Sequence, residues 1–98
     1  MKLVNLLYDD DYDDVDIICV PDAVANNIGS VVGKFQRWIA DERNVHSYWT
    51  TSRLGFKSLA IDTDAFIWWL NEHYNDCESA YIVYQHVKYC EELPTAEF

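Results

Sequence analysis

Six carboxylates crowd into eight residues at Asp9, Asp10, Asp11, Asp13, Asp14 and Asp16. Acids at alternate positions suggest a calcium loop, but an EF-hand also needs glycine at its sixth position and glutamate at its twelfth. Counted from Asp9, those positions hold Asp14 and Val20. A second constellation is His73-x3-Cys77-x8-His86-x3-Cys90, four nitrogen and sulfur donors of the kind zinc accepts. Its spacing lacks the usual close cysteine pair. Buried or incidental cysteines with surface histidines account for the same residues, so neither zinc nor calcium is assigned and no cofactor is expected. Cys19 lies in an expected strand, and Cys77 and Cys90 lie near acids, which raise rather than lower a thiol pKa. The carboxylates are too crowded and wet for a catalytic acid, which works best alone in an apolar pocket. The chain also has no P-loop, dinucleotide-binding glycine run, G-x-S-x-G or H-E-x-x-H motif, so a non-enzymatic protein is expected.

What remains is charge. The net charge is −10. Residues 1–22 carry −6, residues 23–60 carry +3 and residues 61–98 carry −7, placing two acidic ends around a mildly basic middle. Such a field repels phosphate and attracts surfaces rich in lysine and arginine. Direct nucleic-acid binding is disfavoured, and a basic protein partner is favoured. The acidic candidates are the loop aspartates with Asp62, Asp64, Glu72, Asp76 and Glu78. Trp68, set about 100° around a helix from Trp69, joins them either as an interface anchor or as the flank of a wide buried stripe.

The elements that would position these residues follow from periodicity. Leu3–Tyr8 and Asp16–Val20 read as two strands joined through the acidic stretch as a solvated hairpin loop. Pro21-Asp22 opens a helix that runs to about residue 42, with Val24, Ile28, Val31, Val32, Phe35 and Ile39 on one stripe. Gly29 and Gly33 lie one turn apart in it, as if for a close approach to a sheet. Residues 44–61 form a second hairpin around Gly55. Asp62-Thr63-Asp64 caps a second helix bearing Phe66, Ile67, Leu70 and Tyr74, which stops near Asn75-Asp76. Residues 80–87 fit both periods and are read as a strand, although Asp76 as a cap would favour a helix. Pro94 ends regular structure, leaving Thr95–Phe98 to fray or to dock through Phe98.

The expected architecture is one α+β domain over residues 1–98, two helices on a mainly antiparallel sheet in the order ββαββαβ. Fifteen aromatics in 98 residues support a packed core. Three cysteines and no secretory or membrane-spanning run point to a reducing cytoplasm. In size, acidity and want of a catalytic motif, the chain resembles the small anti-CRISPR and anti-restriction inhibitors of phages and mobile elements. That resemblance implies a DNA-mimicking surface that blocks a nuclease or CRISPR effector, and it transfers no residue. A toxin-neutralising immunity protein is the alternative with the same electrostatics.

Overall fold

The computed structural model describes residues 1–44, 46–74 and 79–98. Its elements are strands β1 (Lys2–Leu7) and β2 (Val15–Val20), helices α1 (Asp22–Ala25) and α2 (Ile28–Ala40), strands β3 (Trp49–Thr51) and β4 (Lys57–Leu59), helix α3 (Thr63–His73), and strands β5 (Tyr81–Val87) and β6 (Thr95–Glu97). The α+β class is the expected one, with an additional helix and strand. The main sheet has the order β5-β2-β1-β6, and β3 and β4 form a separate two-stranded sheet. β1 pairs antiparallel with β2 from Lys2↔Val20 to Leu6↔Asp16, β2 pairs antiparallel with β5, and β6 lies parallel to β1. Among the described residues no helix is long and apolar enough to cross a membrane.

Every residue of β2 is buried, because this central strand is covered on both faces. Val4, Leu6, Ile18 and Val20 point to the helices and join Val31, Val32, Phe35, Ile39, Phe66, Trp69 and Leu70 in the main core. On the other face Leu7, Val15 and Ile17 are covered by Val83, Val87, Tyr89, Cys90 and Leu93. The connection before β6 therefore acts as a cover for the sheet. Asn5, fully buried on that face, ties it down: its Nδ2 donates to the Cys90 carbonyl at 2.7 Å, and its Oδ1 accepts from the Cys90 N–H at 3.4 Å.

The structure corrects the expected elements in three places. First, the helix expected from Asp22 to about residue 42 is two helices. Asn27 leaves helical geometry (φ −128°, ψ 30°), and its side-chain Nδ2 donates to the Ala23 carbonyl at 3.1 Å. Asparagine competes in this way for the backbone groups a helix needs. Second, Gly29 and Gly33 permit no close approach. A methyl group at Gly29 would meet nothing within 4 Å, and at Gly33 only the Arg37 guanidinium at 3.5 Å. Gly33→Ala is accordingly expected to stabilise the fold by about 0.5–1 kcal/mol, measured by chemical denaturation. Third, Pro94 does not end regular structure. Its carbonyl accepts from the Asn5 N–H at 2.9 Å, β6 follows, and the Phe98 N–H donates to Leu7 at 2.9 Å. Proline lacks only a donor, so it suits the start of an edge strand. Phe98 docks, stacked on Tyr8 at 5.1 Å and edge-on to Phe66 at 5.4 Å.

The remaining elements agree with the sequence reading. Of residues 80–87, Tyr81–Val87 are strand, and the 44–61 segment contains a hairpin whose Gly55 takes φ 84° at the turn. Asp62 caps α3, its Oδ1 accepting from the Ala65 N–H at 3.0 Å. Asn71 closes the chain's return to the sheet by bonding both the N–H (2.8 Å) and the carbonyl (3.2 Å) of Ala80. The expected stop at Asn75-Asp76 and the cap role weighed for Asp76 lie outside the described residues.

Candidate functional site: an acid-lined cleft

The loop between β1 and β2 is built by its own aspartates. The Asp11 N–H donates to the Tyr8 carbonyl at 3.1 Å, and Asp11 Oδ1 accepts from the Asp13 N–H at 3.1 Å. Asp9 and Asp10 both sit in the left-handed region, at φ 54° and 57°. Aspartate enters that region more readily than most residues because its short side chain can bond locally. The loop is braced from the side where the Tyr89 N–H donates to the Tyr12 carbonyl at 2.8 Å and the two rings meet edge-on at 5.2 Å.

Asp16 departs from the solvated reading of this stretch. Only 8% exposed, it lies on the inward face of β2 with Ile18 and Val20, as the two-residue strand period requires. Burying a carboxylate is tolerable only with hydrogen bonds to receive it. Thr63 Oγ1 donates to Asp16 Oδ2, and the His86 N–H donates to Oδ1 at 3.2 Å. That second donor is available because β5 shifts register against β2 here and His86 takes φ 56°. Thr63 has used its proton, so at 2.6 Å the Tyr8 hydroxyl must be the donor to Thr63 Oγ1. Burial is the main cause that pushes the Tyr8 phenol up to about 12, with the Asp16, Asp62 and Asp64 charges adding to it. The phenol therefore stays protonated, and Tyr8–Thr63–Asp16 forms a fixed relay joining β1, β2 and α3. Thr63 is buried with both ends of its hydroxyl engaged, so the relay holds position and offers no free nucleophile.

This relay brings the two acidic parts of the sequence together. A cleft of about 420 Å³ is lined by Tyr8, Asp9, Asp11, Asp14 and Asp16 from the first, and by Asp62, Thr63 and Asp64 from the second, with Ile61, Gln85 and His86 completing the wall. Asp10 and Asp13 are exposed on the loop beside it. His86 Nδ1 lies 2.7 Å from Asp14 Oδ1, and that hydrogen bond, then the Asp14 charge, raises the His86 pKa above its ordinary 6.5. Because the folded value is the higher one, the charged pair is complete below pH 6.5 and is lost as pH rises through the elevated folded value. Asp14→Asn should return the His86 titration, followed by NMR, toward 6.5.

The other candidate residues fall elsewhere. Trp68 is half-buried against Tyr48 (5.8 Å), Trp38 (6.0 Å) and His46 (6.5 Å), so α2 and the segment before β3 supply its covering layer. Glu72 is exposed further along α3, outside the cleft. Asp76 and Glu78 lie outside the described residues, as does Cys77 of the His/Cys set. His73 packs on Trp38 (5.1 Å) and Trp69 (5.2 Å), His86 is held by Asp14, and Cys90 lies beside Asn5. Among the described residues no three histidine, cysteine, aspartate or glutamate side chains group to hold a metal ion. Sequence reasoning missed Tyr8 and Thr63 as parts of the site, since hydroxyls carry no motif. For Asp16 the signal was present in the alternation Asp16-x-Ile18-x-Val20.

The fold and the cleft define a small α+β domain with one strongly acidic face. No protein-family model, curated protein or solved structure matches the chain.

Proposed function

We propose that the chain is a non-enzymatic, acidic inhibitor that binds a basic nucleic-acid-binding protein through its cleft face, in the manner of a DNA mimic. The observation that carries this reading is the convergence of carboxylates from two distant stretches, Asp9–Asp16 and Asp62–Asp64, on one braced surface. A disordered acidic tail attracts cations without shape. Here the Tyr8–Thr63–Asp16 relay and the Tyr12–Tyr89 contact hold the charges in place, and charge presented on a rigid platform loses less entropy on binding. Asp9, Asp10, Asp11, Asp13, Asp14, Asp62 and Asp64 form the contact surface, steering the protein into a lysine- and arginine-lined channel. Asp16 belongs to the support beneath it.

The inhibitor class, a nuclease or CRISPR effector as partner, and the cytoplasm as the place of action form part of this proposal. It is tested by capture on the immobilised chain, from extract of a nuclease- or effector-bearing cell, with and without duplex DNA as competitor. The proposal expects a basic nucleic-acid enzyme that DNA displaces and whose cleavage of DNA the chain inhibits. A captured partner indifferent to competing DNA would overturn the mimic. A secreted nuclease toxin released by DNA would instead identify the immunity-type alternative.

A further inference from the structure

The strongest surface feature outside the cleft is the tip of the β3–β4 hairpin. Leu54 is 83% exposed and Phe56 71%, the two most exposed large apolar side chains among the described residues. Arg53 and Lys57 flank them. Neither makes an ion pair among the described residues, in contrast to Arg43, which is held by Asp41 at 2.6 Å. An exposed apolar pair between two cations calls for a socket that is acidic at its rim.

One such socket is on the same molecule. The cleft carries carboxylates at its mouth and Ile61 and Tyr8 in its wall. A chain cannot fill its own cleft with this tip, because Ile61 follows Phe56 by five residues through the extended strand β4, which carries the tip outward at about 3.3 Å per residue. We infer that the hairpin tip of one copy, Arg53-Leu54-Gly55-Phe56-Lys57, docks into the acid-lined cleft of a second copy. The contact is heterologous, tip to cleft, and each copy presents both halves. Two molecules of charge −10 repel each other, but at physiological ionic strength that field is screened beyond about 8 Å, so the local match decides. A hairpin tip buries less area than a standard interface, so the association is weak and dynamic. Because it occupies the cleft, self-association competes with any basic partner.

The test is sedimentation equilibrium from about 10 μM to about 1 mM in about 0.15 M salt, the range in which a weak contact is read. The parent's average mass should rise above 11.5 kDa with concentration. Arg53→Glu with Lys57→Glu should leave a monomer throughout, and Leu54→Ser with Phe56→Ser should weaken association at least about tenfold. These positions are exposed, so the fold is expected to persist. The decisive arm mixes the Arg53→Glu/Lys57→Glu chain with an Asp9→Asn/Asp11→Lys/Asp14→Lys/Asp64→Lys/Gln85→Lys chain, whose cleft then carries four lysines against Asp16 and Asp62. Each alone pairs like charges and should be monomeric, whereas the mixture pairs opposite charges at both contacts and should associate. A parent that is monomeric at every concentration, an unaffected tip variant, or a mixture that fails to associate would overturn the inference. None of these results bears on whether the cleft binds a basic protein partner.

Discussion

Phe35→Ala is expected to remove about 3–5 kcal/mol of stability, the usual effect of truncating a buried phenylalanine. Phe35 is fully buried and meets Phe66 at 5.2 Å, Trp69 at 5.5 Å and Phe98 at 6.1 Å. One ring thus links α2, α3 and the C-terminus. A cavity there has no soft neighbour to collapse into it, since the surrounding rings are rigid. Domains of this size have about 5–15 kcal/mol in total, so a fifth or more of the margin is at stake, and the melting temperature should fall by about 15–30 °C. Denaturant unfolding followed by tryptophan fluorescence measures it directly. A loss below about 1 kcal/mol would mean that Phe35 is not the hub of the core.

The second large effect is expected at Asp16. Asp16→Ala strips the acceptor from the Thr63 hydroxyl and from the His86 N–H, leaving two donors inside the fold without partners. Hydrogen bonds to a charged group contribute about 1.5–3 kcal/mol each, and an orphaned buried donor adds its own desolvation cost, so a loss of about 3 kcal/mol is expected. Asp16→Asn keeps one carbonyl oxygen and the same shape, and should lose roughly half as much. Parent-like stability in the alanine variant would show that Asp16 is not a support of the cleft. Neutralising the exposed loop aspartates should behave oppositely, leaving stability unchanged or slightly higher as crowded like charges are relieved.

The sequence was legible where the pattern is local. Two apolar runs around an acid-rich loop read as β1 and β2, Asp62 as the cap of α3, and the tyrosine-, isoleucine- and valine-rich 80–87 as β5. It misled where a distant contact decides. Nothing near Pro94 indicates that β1 has an open edge to receive β6, and the apolar stripe through Val24, Ile28 and Val31 continues undisturbed across Asn26-Asn27, where the helix breaks. Composition groups Asp16 with its acidic neighbours, although its own strand period places it inward. The charge of the two ends was plain from composition. Their meeting depends on Thr63 reaching Asp16 across 47 residues, which no spacing rule contains.

The central claim is that the cleft face binds a basic partner through its charge. The most direct measurement compares the captured partner's affinity and association rate for the parent with those for a chain carrying Asp9, Asp10, Asp11, Asp13, Asp14, Asp62 and Asp64 as asparagine, at low and at physiological salt. Asparagine caps a helix as well as aspartate does, so α3 is preserved, and Asp16 is left in place. The account predicts association at least about tenfold slower at low salt and a flattened salt dependence, with the fold intact. Binding as fast and as salt-dependent as the parent's would contradict it.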